Sequence, residues 1–213
     1  MKVEPGLLDI IMVYIWDLDG TLIDSYDGIL DSIMDVLKYF HLEMKREDVY
    51  KFIIEKSVHE FLDEISITYK IDLPKVIEKY QEYRINTQMK VTLMDNAYET
   101  LEYLYLQGHS NFIYTHKGAS THTILKNLGI DKFFKEVLTS ENHFKRKPDP
   151  EAIYYILQKY NINKEEAYYI GDRPLDILCA KNANIKGIFL KNALMNLDVD
   201  ADRIIDNLIE LTK

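Results

Sequence analysis

The chain has 213 residues, 47% hydrophobic and 29% charged, with a formal net charge of -9; that suits one large domain, or a core with a smaller insertion, and excludes a general nucleic-acid binder, which needs a basic surface. Cys179 is the sole cysteine, so no intrachain disulfide can form and a reducing compartment is expected. The first nine residues, with Glu4, Pro5 and Asp9, lack the basic-then-apolar pattern of a secretion signal, and the apolar run at 10–16 is too short to cross a bilayer, so a cytoplasmic protein without membrane partners is expected.

Ile10-Ile11-Met12-Val13-Tyr14-Ile15-Trp16 is an unbroken apolar run, several of its residues β-branched. It predicts a strand buried on both faces, in the middle of a parallel sheet. Asp17 and Asp19 follow on one side of the chain with Leu18 turned away, and Gly20 permits a tight turn before Thr21. The period then changes. Ile29, Ile33, Val36, Leu37 and Phe40 recur at helical spacing, as do Val49, Ile53, Phe61, Leu62 and Ile65, and then Val76, Ile77, Tyr80 and Tyr83. No alternating pattern interrupts them, so residues 24–90 are expected to form an all-helical block, joined to the rest near Leu22–Ser25 and Lys90–Met94.

From Val91 the chain alternates helices with short strands. Ala97, Leu101, Leu104 and Tyr105 predict a helix stopped by Gly108; Phe112–Tyr114 is a strand with Thr115 at its end; Ile124, Leu125 and Leu128 mark a helix closed by Gly129. Val137-Leu138 is a weak strand, and Ile153, Ile156 and Leu157 lie on a helix with Pro150 as its first residue. Ala167–Ile170 is a strand running into Gly171-Asp172, Leu175, Leu178 and Cys179 begin a helix with Cys179 in the core, and Gly187–Leu190 is a strand. Arg203–Ile205 is a candidate edge strand, with a terminal helix from Asp206. The fold class is therefore α/β, a doubly wound parallel sheet with a Rossmann-like core over 1–23 and 91–213, carrying an inserted helical cap over 24–90.

Asp17 and Asp19, Thr115, Lys147, and Asp172 with Asp176 all fall at strand ends or in the loops beyond, where open α/β sheets bind ligands. Asp17, Asp19 and Asp172 supply the oxygens a hard dication such as Mg²⁺ prefers. Lys147 and Thr115 supply a positive charge and a hydroxyl for phosphoryl oxygens, and together these groups suit phosphoryl transfer.

Asp17-Leu18-Asp19-Gly20-Thr21, Phe112–Thr115, Lys147-Pro148-Asp149-Pro150 and Gly171-Asp172 through Asp176 resemble, in that order, the signatures of the haloacid dehalogenase superfamily of aspartate-nucleophile phosphatases. The helical block resembles the cap of phosphoglycolate-phosphatase-like members. The resemblance implies a Mg²⁺-dependent phosphatase of a small phosphorylated metabolite, with Asp17 as nucleophile and Asp19 as general acid and base. It implies that Thr115 and Lys147 bind the phosphoryl group. Asp172, Asp17 and the Asp19 main-chain carbonyl would hold the metal, with Asp176 orienting Lys147 or a metal-bound water. His116 and Lys117 stand where relatives often carry Asn, so His116 is a candidate substrate contact. In the cap, Lys56 and Ser57 replace an expected Gly/Pro-containing loop and are candidate contacts too, as are Arg84 and Tyr26. A sugar-phosphate mutase shares every core residue, and a catalytically silent binding protein is the remaining alternative.

Overall fold

The structure, a computed structural model, describes residues 11–191 and 197–213. The first nine residues and Ile10 lie outside the described residues. Within them the leading apolar run becomes strand β1 only from Val13 to Trp16. All four residues are buried, because parallel strands flank β1 on both sides and helices cover both faces.

β1 pairs in parallel with β4 (Ser110–Tyr114) and with β6 (Ala167–Gly171). β5 (Phe134–Leu138) extends the sheet beyond β4. β7 (Lys186–Leu190) and β8 (Arg203–Ile205) extend it beyond β6. The order β5-β4-β1-β6-β7-β8 runs outward from β1 in both directions, with the weak strand and the candidate edge strand at the two margins. Tyr14 and Trp16 point to one face, where they meet α5 (Ala97–Leu106), α6 (Ser120–Asn127) and a C-terminal 3₁₀ turn, Leu208–Thr212. Val13 and Ile15 point to the other, against α7 (Glu151–Lys159) and α8 (Pro174–Ala183), with Cys179 buried among them.

Three local expectations are corrected. The terminal helix is a 3₁₀ turn, capped by Asn207 accepting from the Ile209 N–H at 3.0 Å. Pro150 occupies the cap position of α7 rather than its first turn. The stretch 24–90 is not purely helical at its edges: β2 (Ile23–Asp24) pairs antiparallel with β3 (Thr92–Leu93). A two-residue ladder has too few side chains to show a period of two. Between those strands lie α1 (Tyr26–Tyr39), α2 (Arg46–Glu55), α3 (Val58–Tyr69) and α4 (Leu73–Thr87). They enclose a separate apolar core built on Ile33, Val36, Ile53, Phe61 and Val76. Among the described residues no helix is long and apolar enough to cross a membrane.

Candidate active site

The chain leaves β1 through Asp17 and Asp19 and turns at Gly20, whose φ of +81° is left-handed. A Cβ there would collide with the Asp172 carboxylate and the Tyr26 ring, and one on Gly171 would collide with the Asp176 carboxylate. Glycine at these two strand ends lets three buried acids gather. Asp17, Asp172 and Asp176 each present an oxygen within 4.8 Å of the others.

Two cations offset them. Lys147 Nζ donates to Asp17 Oδ1 at 2.7 Å and to Asp176 Oδ1 at 2.8 Å, its side chain wholly enclosed and its charge 5.3 Å from the ring centroids of both Tyr114 and Tyr169. Arg173 Nη2 reaches Asp17 Oδ2 at 3.4 Å, and its backbone N–H donates to Asp176 Oδ2 at 3.2 Å. Burial opposes the Lys147 charge, but Asp17 and Asp176 outweigh it and hold the ammonium protonated. Three carboxylates against two cations leave excess negative charge, and the acids register it. Burial pushes the Asp17 carboxyl up against the pull of Lys147. Burial, helped by Asp17 and Asp176 and resisted by Arg173, pushes Asp172 up to about 7.

That shift has a stability consequence in the metal-free protein. Unfolded, Asp172 titrates near its ordinary 3.8; folded, near 7, so the native state binds the extra proton between those values. Its contribution is therefore full below about pH 4 and is lost as pH rises through 7, by roughly 4 kcal/mol at most. Urea unfolding in chelator from pH 4 to 8 is expected to show wild-type stability falling relative to Asp172→Asn across that window. A pH-independent difference between the two would mean that Asp172 is already ionised throughout.

Asp19 is managed differently. Its Oδ1 accepts from Ser25 Oγ at 2.6 Å and Lys117 Nζ at 2.8 Å. Burial alone would raise its pKa, but Lys117, Ser25 and the more distant Arg84 charge hold it below the ordinary range. Thr115, also buried, accepts the Lys117 N–H on its Oγ1 at 3.1 Å, which leaves its hydroxyl proton free for another acceptor. His116 Nε2 accepts the backbone N–H of Lys147 at 2.9 Å. Burial, then Lys147 and Arg146, drive the His116 pKa far down, so a neutral imidazole anchors the segment that carries Lys147.

The sequence candidates thus divide. Asp17, Asp19, Thr115, His116, Ser57 and Arg84 line one cleft of about 610 Å³ between the helical block and the strand ends. Ser57 in that cleft caps α3, accepting the Glu60 N–H at 3.1 Å. Lys56 is not brought there. It is exposed, lies 4.6 Å over the Phe52 ring, and lines a neighbouring depression. Asp176 has both oxygens occupied by Lys147 and the Arg173 N–H. Tyr26 sits across the acids, its hydroxyl donating to Asp172 Oδ2 at 2.6 Å and lying 3.5 Å from the Asp19 main-chain oxygen. The buried, undercompensated Asp17 and Asp172 carboxylates and that carbonyl suit a hard divalent cation. Lys117 and Arg173 are ion partners that their sequence surroundings do not mark. The only trace of Arg173 was a cation set between two acids in Asp172-Arg173-Pro174-Leu175-Asp176, and Lys117 reads as any loop lysine.

Comparison with known proteins places this arrangement among relatives. A family-wide sequence model described as haloacid dehalogenase-like hydrolase matches residues 14–190. Pyrophosphatase PpaX of Bacillus thuringiensis is 35% identical over 178 residues, 81% of this chain and 79% of that protein. Among solved structures, a Bacteroides fragilis protein described as a haloacid dehalogenase-like hydrolase superposes with a TM-score of 0.83 at 26% identity, covering 94% of this chain and 99% of that one. A Clostridium difficile protein described as a phosphatase gives 0.76 at 27% identity, covering 95% and 99%.

Proposed function

The chain belongs to the haloacid dehalogenase-like hydrolase family, and from that footing we propose that it is a Mg²⁺-dependent phosphatase of a small phosphorylated metabolite, working through an aspartyl-phosphate on Asp17. The observation that carries this reading is Lys147, an enclosed ammonium bonded at once to Asp17 and Asp176 where β1 ends. It pulls Asp17 toward the ionised form against burial and aims its carboxylate, and its charge lies beside the atom a phosphoryl group would approach.

Asp17 attacks phosphorus while the bond to the leaving oxygen breaks; a monoanionic phosphate ester brings the proton, which Asp19, ionised in the free site, takes and passes to that oxygen. Thr115 donates its free hydroxyl proton to a phosphoryl oxygen. Asp19, now ionised and held by Lys117 and Ser25, takes a proton from the water that attacks the aspartyl-phosphate and frees Asp17. Asp17, Asp172 and the Asp19 carbonyl would hold the metal, which when bound supplies charge neutralisation at the phosphoryl group. Pyrophosphatase activity in the name of the Bacillus relative supports a phosphate ester or anhydride as substrate.

The test is hydrolysis of phenyl phosphate. Activity is expected to vanish in chelator, to return with Mg²⁺, and to be lower with Ca²⁺, whose larger and looser coordination shell suits the site less well. Full turnover in chelator would overturn the metal assignment, and no turnover on any phosphate ester or anhydride with Mg²⁺ would overturn the reading as a whole.

A further inference from the structure

Lys147 lies in the loop between β5 and α7. That loop starts beside the end of β4, where the Ser140 N–H donates to the Lys117 carbonyl at 3.0 Å. Further along, no main-chain hydrogen bond among the described residues links Lys145 or Lys147 to the sheet. Two side chains from the end of β4 make the link instead. The Tyr114 hydroxyl donates to the Lys145 carbonyl at 2.9 Å, and His116 Nε2 accepts the Lys147 N–H at 2.9 Å. Their rings meet edge to face, with centroids 5.9 Å apart. Among the described residues, His116 is the only side chain bonded to the main chain of Lys147 itself.

Such an anchor needs an acceptor that reaches the loop and carries no charge, since a carboxylate at this place would compete for the Lys147 ammonium. A neutral imidazole meets both needs. With Nε2 accepting, the ring proton lies on Nδ1, so Arg146 Nη2, 3.2 Å from Nδ1, finds no acceptor there and takes no part in the anchor. Lys147 Nζ ends a flexible four-carbon stem and is drawn to Asp17 at 2.7 Å and Asp176 at 2.8 Å. Phosphoryl transfer to Asp17 consumes the first of those partners. A fixed main chain then keeps the ammonium in reach through both halves of the reaction. We propose that His116, although it lines the cleft, is a positioning residue for Lys147 and not a contact to the substrate, with Tyr114 as the second point of the same clamp. This rests on the phosphatase reading above and adds the group that places its central cation.

The experiment measures kcat and KM with saturating Mg²⁺ over a panel of phenyl phosphate, glycerol 2-phosphate and pyrophosphate, whose leaving groups differ. His116→Leu should lower all three by one common factor, about tenfold to a hundredfold, in kcat more than in KM. His116→Gln, whose side-chain oxygen reaches about as far as Nε2, should recover most of that loss. His116→Asn, whose oxygen reaches only as far as Nδ1, should not. Tyr114→Phe keeps the ring 5.3 Å from the ammonium and loses only the hydroxyl, so a smaller uniform loss is expected. Added to Lys147→Met, His116→Leu should cost nothing more, because it acts through that ammonium. A loss concentrated on one substrate would make His116 a substrate contact and overturn the proposal. Equal rates for the Gln and Asn variants, or for His116→Leu and wild type, would overturn it as well. Thermal melts check folding, and the Gln–Asn comparison decides the matter even where the Leu or Lys147→Met protein fails to fold. Hydrolysis of none of the three by wild type would instead remove the phosphatase reading, and this role with it.

Discussion

Asp17→Asn is expected to abolish turnover and to leave the metal-free fold as stable as wild type or more so. The amide has no lone pair basic enough to attack phosphorus, so no covalent intermediate forms, and the loss should exceed about a thousandfold. Stability follows from the charge count. Asp17, Asp172 and Asp176 face Lys147 and Arg173, so neutralising one acid brings the buried cluster into balance. Lys147 keeps Asp176 as its partner at 2.8 Å. The same change should lower the Asp172 pKa, because Asp17 is one of the charges holding it up. Turnover in a freshly purified, undeamidated sample, together with a thermal melt in chelator, checks both halves. Near-normal turnover would refute the nucleophile assignment.

Lys147→Met should damage both activity and folding. Removing the ammonium leaves Asp17 and Asp176 buried beside Asp172 with Arg173 alone to offset three acids. Breaking a buried pair this way costs about 3–5 kcal/mol. The cost should be largest near pH 7.5 and shrink toward pH 5, where the acids take up protons instead. Activity should fall on every substrate, by roughly a hundredfold or more, since the ammonium acts on the phosphoryl group common to all. Denaturant midpoints at the two pH values and kcat/KM over the substrate panel measure both effects. A variant that reorders the panel without lowering it would show that Lys147 is not part of the core chemistry.

The two variants also mark how far the residues alone could be read. β1 was visible because an unbroken apolar run with β-branched residues suits a strand buried on both faces, although only Val13–Trp16 of that run form it and Ile11 is exposed; the stops at Gly108 and Gly129 were visible because both adopt positive φ. The strand-end positions of Asp17, Thr115 and Asp172 followed from where the apolar runs end, whereas Lys147 lies in the loop beyond β5. What stayed hidden depends on partners distant in sequence. Nothing near Lys117 announces that its ammonium bonds Asp19 across 98 positions, or that the phenol of Tyr26 meets Asp172 across 146. The break between α2 and α3 does not show in the spacing, which Val49, Ile53, Phe61 and Ile65 keep through it; only the resemblance set a loop at Lys56 and Ser57. Lys56 closes α2 there in a non-helical conformation (φ −118°, ψ −103°) and Ser57 caps the helix that follows. That turn leaves Lys56 outside the cleft in which the resemblance made it a candidate contact, while Ser57 lines it.

The small ladder of β2 and β3 alters how the sheet must assemble. Val13 pairs with Ser110, 97 residues further along, with the whole helical block intervening. Closing a flexible loop of that length is slow and entropically costly, and the central strand pairing of the fold would wait on it. The block's contacts, α1 on α4 foremost, lie within the block and do not need the sheet, and once its four helices have condensed, the Ile23–Leu93 and Asp24–Thr92 pairs and the Met94 N–H to Leu22 carbonyl bond at 3.0 Å tie its two ends together. The gap left to close between β1 and β4 is then only the short segments outside the ladder, a saving of roughly 1 kcal/mol in closure entropy. To the nascent sheet, a block of more than sixty residues behaves as a tight turn.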